Sequence, residues 1–259
     1  MTRDSREILD DAPPAAADAR LAYGSEPKQF GDLRLPHGDG PFPLAVVVHG
    51  GAWEAQYNLI SVGHLCIALR EDGIATWNVE YRCCGDVGGP WPGAGDDVAR
   101  AVEFVAELLE RFPLESDRIV LAGHSAGGQL VLWAAKGAQR PVVALAAVSD
   151  LRESAERVGP GGAVARFLGG MPTDVPDRYA SASPRERLPL GVPQILVHGD
   201  ADTSVPYAQS ATYVEAAAGE AELVTLAGAG HFDLIDPHAR DFPATINAIR
   251  SLLEPAGAP

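Results

Sequence analysis

"RIVLAGHSAGGQLVLWAAKGA", residues 118–138, passes from β-forming apolar residues through a cluster of small ones into an amphipathic stretch. The apolar run RIVLAG suits a strand covered on both faces, and QLVLWAAKGA has helical spacing. Between them lies Gly123-His124-Ser125-Ala126-Gly127, a G-x-S-x-G pentapeptide. A strand that turns at once into a helix needs small neighbours for close approach, and the residue at its apex takes a strained backbone. A hydroxyl on that apex is a candidate nucleophile, which makes Ser125 the first functional residue of the chain. Phosphate and dinucleotide turns are also glycine-rich, but neither GxGxxG nor GxxxxGK[ST] occurs here, so the nucleotide reading loses its main support.

Outward from this unit, the same alternation continues. LAVVVHG (44–50), IATWNVEYR (74–82), VVALAAVSD (142–150), PQILVHGD (193–200) and AELVTLAGAG (221–230) read as strands. LISVGHLCIALREDG (59–73) has helical spacing and stops at Gly73, and VARAVEFVAELLERF follows Asp96 and Asp97, which suit a helix start. Strand-helix alternation predicts an α/β fold with a mainly parallel sheet of about eight strands and helices on both faces. We expect an N-terminal arm over 1–20 and one domain over 21–259, within which the Gly- and Pro-rich stretch 151–191 forms a short cap-like insertion.

Composition narrows the function classes. Twenty Lys and Arg against 35 Asp and Glu give a formal charge of −15, which disfavours nucleic acid and anionic membrane surfaces as partners. The three cysteines, Cys66, Cys83 and Cys84, form no zinc-type spacing, and the adjacent pair reads as reduced packing residues. No signal-like leader or membrane-length apolar run stands in the sequence, so the expected localisation is cytoplasmic. Monomer and homodimer remain equally open.

A serine hydroxyl needs a base within reach, oriented in turn by an acid. HGDADTSVP (198–206) and GAGHFDLIDP (228–237) follow the last two strands and supply them in the order Ser, Asp, His. His231 is the expected base. Asp202 is the expected acid, standing two residues beyond the strand end, and Asp200 is expected to support the loop by backbone hydrogen bonds. Oxyanion donors are expected from the N–H groups of Ala126, after the nucleophile, and of Gly51 or Ala52 in His49-Gly50-Gly51-Ala52-Trp53. Trp53, Tyr57 and Trp91 fall in loops near the expected site, as either an aromatic pocket or packing anchors. Arg82 and Arg166 are candidates to meet a substrate carboxylate, with surface roles as the alternative. Asp233 and Asp236 suit a helix start, and this chemistry requires neither a metal nor a cofactor.

Together HGGAW, GHSAGG, HGDADTSVP and GAGHFD, with YGSEPKQFGDLRLP and NVEYR around the first motif, resemble the α/β-hydrolase superfamily. The nearer resemblance is to its small esterases and arylformamidases of the kynurenine formamidase type. It implies a serine hydrolase acting on a small-molecule carboxylic ester, with an N-formylkynurenine-like amide as the second candidate substrate. A biosynthetic acyltransferase or cyclase, and a non-catalytic binding module on the same fold, are the further alternatives.

Overall fold

A computed structural model describes residues 7–8 and 13–254, and its strands form a single sheet of eight. In chain order they are β1 (Ala19–Ala22), β2 (Phe30–Arg34), β3 (Phe42–Val48), β4 (Ala75–Val79), β5 (Leu114–His124), β6 (Val142–Leu145), β7 (Gln194–Gly199) and β8 (Ala221–Leu226). Across the sheet the order is β1-β2-β4-β3-β5-β6-β7-β8. The strands from β4 to β8 along that order are parallel, while β1 and β2 pair antiparallel at one edge. This is the expected α/β-hydrolase architecture.

The helices are α1 (Gly63–Glu71), α2 (Gly93–Glu103), α3 (Val105–Arg111), α4 (Ala126–Ala138), α5 (Leu151–Val158), α6 (Ala163–Leu168), α7 (Pro176–Ala182), α8 (Ala208–Ala216) and α9 (Phe242–Leu253). Strand side chains alternate between two cores. In β3, Leu44, Val46 and Val48 pack with residues of α2 and α4, whereas Ala45 and Val47 pack with residues of α1 and α9. Both faces are thus apolar, which is why LAVVVHG shows no polar alternation.

Several expectations need correction. β1 and β2 are absent from the strand segments read off the sequence. Their apolar pattern is broken by Arg20 and Asp32, which form a cross-strand pair at 2.7 and 2.9 Å. The second helix starts at Gly93 rather than at Asp96, and Asp97 is buried inside it as an ion-pair partner. The expectation of a cap-like insertion over 151–191 is not one of these: the segment carries α5, α6 and α7, and its Ser154, Arg157, Val158, Ala163 and Val164 stand in a cavity wall. Part of the expected arm, residues 1–6 and 9–12, lies outside the described residues, and its last two residues belong to β1. Among the described residues, no helix is long and apolar enough to cross a membrane.

Candidate active site

The parallel strands end on a cavity of about 590 Å³ whose lining includes Gly50, Gly51, Ala52, Ser125, Ala126 and His231. Ser125 joins β5 to α4 with φ 54° and ψ −117°, a left-handed conformation that a side chain rarely adopts. Its amide donates to Leu145 O at 2.8 Å, tying the turn to β6. The flanking glycines answer to space. A Cβ on Gly123 would stand 2.4 Å from Gly127 O, and one on Gly127 would stand 2.2 Å from Val48 O and 2.3 Å from His49 O. Residue 127 therefore has backbone on every side that a side chain would need.

His231 and Ser125 line the same cavity. His231 Nδ1 lies 2.6 Å from Asp202 Oδ2, and the Asp202 side chain is fully buried. Asp202 Oδ1 accepts from the amides of Ser204 at 2.7 Å and Val205 at 2.9 Å, so both carboxylate oxygens are engaged. Burial alone would raise this carboxyl's pKa, but hydrogen bonds from His198 and His231, the charge on His231 and the Val205 amide hold it well below the usual range. Asp200 accepts from the Gly228 amide at 2.6 Å and so ties the two loops together. Asp233 accepts from the Gly230 amide at 2.7 Å, bracing the turn before His231.

Sequence reading missed His198. Its side chain is fully buried, its Nε2 lies 3.0 Å from Val205 O and 3.3 Å from Asp202 Oδ2, and its Nδ1 lies 2.7 Å from Ser210 Oγ. The Val205 carbonyl can only accept, so Nε2 carries the proton and Nδ1 accepts from the Ser210 hydroxyl. Asp202 Oδ2 is therefore shared by two imidazoles. The signal was present as a histidine four residues before Asp202 in HGDAD, at the end of a largely apolar strand.

His124 packs beside His231, with ring centroids 4.5 Å apart and Nε2 donating to His231 O at 2.9 Å. Burial, followed by the neighbouring charge of His231, pushes its pKa down to about 3. It is neutral at ordinary pH, so it places no charge beside His231.

On the opposite wall, Gly51, Ala52 and Trp53 take positive φ in succession, at 114°, 54° and 57°. Neither the Gly51 nor the Ala52 amide donates to a backbone carbonyl among the described residues, and Ala126 opens α4, where N–H groups have no partner within the helix. The strained loop is held by its side chains. Trp53 is buried, stacks on Phe167 at 4.6 Å and donates to Gln129 Oε1 at 3.0 Å, while Gln129 donates onward to Ala182 O at 3.0 Å. His49 stacks on Tyr81 at 4.4 Å and spans from Gly50 O at 2.7 Å to Glu80 Oε1 at 3.3 Å. Tyr81 in turn donates to His49 O at 3.0 Å. His49 is thus a brace of the loop.

Trp53 and Tyr57 line the cavity, but Trp91 does not. It is 7% exposed, meets Trp133 edge-on at 5.1 Å and donates to Ser181 Oγ at 3.2 Å, so it is a packing anchor. Arg82 is also unavailable to a substrate, since Asp97 grips it at 2.8 and 2.7 Å. Arg166 is held by Glu54 at 3.0 and 2.6 Å. Among the described residues, no group of three or more His, Cys, Asp or Glu side chains could hold a metal ion.

The BD-FAE family model matches residues 32–216. The chain is 27% identical over 246 residues to the esterase LipC of Mycobacterium tuberculosis, covering 84% of this chain and 60% of that protein. It is also 27% identical over 245 residues to the isoprenylcysteine α-carbonyl methylesterase of Arabidopsis thaliana, covering 83% of this chain and 56% of that one. It thus spans 60% and 56% of the length of these two relatives. Among solved structures, a truncated carbohydrate esterase from gut microbiota superposes with a TM-score of 0.78 at 19% identity, over 93% of this chain and 97% of that one.

Proposed function

The chain belongs to the BD-FAE family, and from that premise we propose that it is a serine hydrolase that cleaves small carboxylic esters through an acyl-enzyme. The observation that carries this reading is a strained serine sharing a cavity with a histidine whose far nitrogen lies 2.6 Å from a buried carboxylate. Ester-hydrolysing relatives support the same reaction.

In this reading Ser125 Oγ attacks the ester carbonyl and His231 Nε2 takes its proton. Asp202 keeps the Nδ1–H tautomer in place and stabilises the imidazolium as it forms. The N–H groups of Ala126, Gly51 and Ala52 receive the negative charge that develops on the carbonyl oxygen. His231 then protonates the leaving alkoxide, and water activated by the same imidazole releases the acid from Ser125. All proton transfers run through one imidazole, so the chain's own residues complete the cycle.

An arylformamidase would use the same groups, and the Tyr57 and Phe232 rings in the cavity wall are compatible with an aryl substrate. The two differ in the leaving group, because an amide nitrogen must be protonated as it departs. The test is turnover of p-nitrophenyl acetate, p-nitrophenyl butyrate and N-formylkynurenine by wild type and Ser125→Ala. We expect ester cleavage that falls by several orders of magnitude in the variant. Near-normal ester cleavage by Ser125→Ala refutes the mechanism, and a preference for the formamide moves the substrate to the second class.

A further inference from the structure

Arg157 is the one arginine among the described residues that line the 590 Å³ cavity, and no lysine accompanies it there. It lies on α5, one helical turn beyond Glu153, with Nε 3.3 Å from Glu153 Oε1. The other oxygen of Glu153 accepts from Gln209 Nε2, itself a buried and multiply bonded amide. Glu153, tied to Gln209 through its other oxygen, approaches the guanidinium through Nε. The two terminal nitrogens of Arg157 donate no hydrogen bond to a described residue, whereas Asp97 holds Nε and one terminal nitrogen of Arg82 and Glu54 does the same for Arg166. A planar fork with its outer edge open is the shape that receives a carboxylate by two parallel hydrogen bonds.

The cavity lining also holds the apolar Val148, Val164, Val205 and Ile235, beside the hydroxyls of Ser61, Ser154 and Ser204. A single cation in a partly apolar cavity suits a ligand with a short hydrocarbon body and one negative end. The chain's formal charge of −15 repels anions at long range, so any selection for an anionic substrate must come from this local group.

We propose that Arg157 is a carboxylate-binding subsite of the cavity, and that the substrate is an ester bearing a carboxylate on its acyl or its alcohol portion. This rests on the hydrolase reading of Ser125. Two matched pairs separate the two placements: monomethyl against dimethyl glutarate puts the charge on the acyl side, and 4-acetoxybenzoate against its methyl ester puts it on the alcohol side.

Binding is measured by calorimetry in Ser125→Ala, which holds the ester without consuming it. The anionic member of one pair should bind about tenfold more tightly than its neutral partner, the modest end for a charge-assisted contact on a partly exposed side chain. Adding Arg157→Gln should remove that preference. In the enzyme with Ser125 intact, Arg157→Gln should lower the anionic-to-neutral ratio of kcat/KM by about the same factor. Equal binding of both members in both pairs, or a preference that survives Arg157→Gln, overturns the subsite. Preserved binding preference without turnover of any ester supports the subsite and strikes only the hydrolase reading.

Discussion

Replacing Asp202 by Asn tests the proton path more sharply than removing the nucleophile. The Ser204 and Val205 amides both donate to Oδ1, at 2.7 and 2.9 Å. Two fixed donors require an acceptor at that position, so the new amide must place its oxygen there and its NH₂ where Oδ2 stood. That NH₂ then faces His231 Nδ1 across a 2.6 Å gap and His198 Nε2 across a 3.3 Å gap. Nδ1 of His231 becomes an acceptor, its proton moves to Nε2, and the ring can no longer take the proton of Ser125. The loss expected from a wrong tautomer is on the order of 10⁴ in kcat. His198 cannot yield as easily, because Val205 O and Ser210 hold it in the tautomer with Nε2 protonated. A donor now faces a donor in a buried site, which costs about 1–3 kcal/mol of stability. The assay pairs kcat/KM on p-nitrophenyl acetate with nitrogen-15 chemical shifts of the imidazole rings, which report the tautomer of His231. Activity within tenfold of wild type, an unchanged tautomer, or a larger loss from Asp200→Asn would refute the reasoning.

Gly127→Ala puts a Cβ 2.2 Å from Val48 O and 2.3 Å from His49 O, forcing the turn and the Gly50–Trp53 loop apart by about 1 Å. We expect about 1–3 kcal/mol of destabilisation by urea unfolding and about a hundredfold loss of kcat/KM; unchanged values for both would show that the close approach is not needed. His124 stays neutral down to about 3 when folded but protonates at its usual 6.5 when unfolded. The unfolded chain binds the extra proton between these values, so stability falls as pH drops from 6.5 towards 3, with a slope approaching about 1.4 kcal/mol per pH unit. Unfolding curves of wild type and His124→Gln across that window should diverge, with the variant losing less, and parallel curves would remove His124 as the cause.

Much of the fold was legible because its signals act between chain neighbours. A strand stretch buried on both faces is apolar nearly throughout, a rule that β3 and the second half of β5 follow and the half-exposed β1 does not. Small residues around Ser125 follow from the backbone's own bulk at a sharp turn, and a histidine and an aspartate after the last two strands follow from strand ends sharing one edge. The pairing of side chains follows no such local rule. Arg82 takes Asp97 from 15 residues away and Arg166 takes Glu54 from 112, so neither supplies the cation of the cavity lining, where Arg157 stands. Trp91 had an equal prospect of lining the cavity until Trp133 and Ser181 supplied its contacts. His198 reached Asp202 because the loop after β7 curls back over the strand end. Sequence determined where Ser125, Asp202 and His231 stand in the chain's turns and strand ends, since these are set by residues close in the chain. Which carboxylate Arg82 and Arg166 meet, and which rings Trp53 and Trp91 pack on, is a competition among groups distant in the chain, and only the folded sheet brings the competitors together.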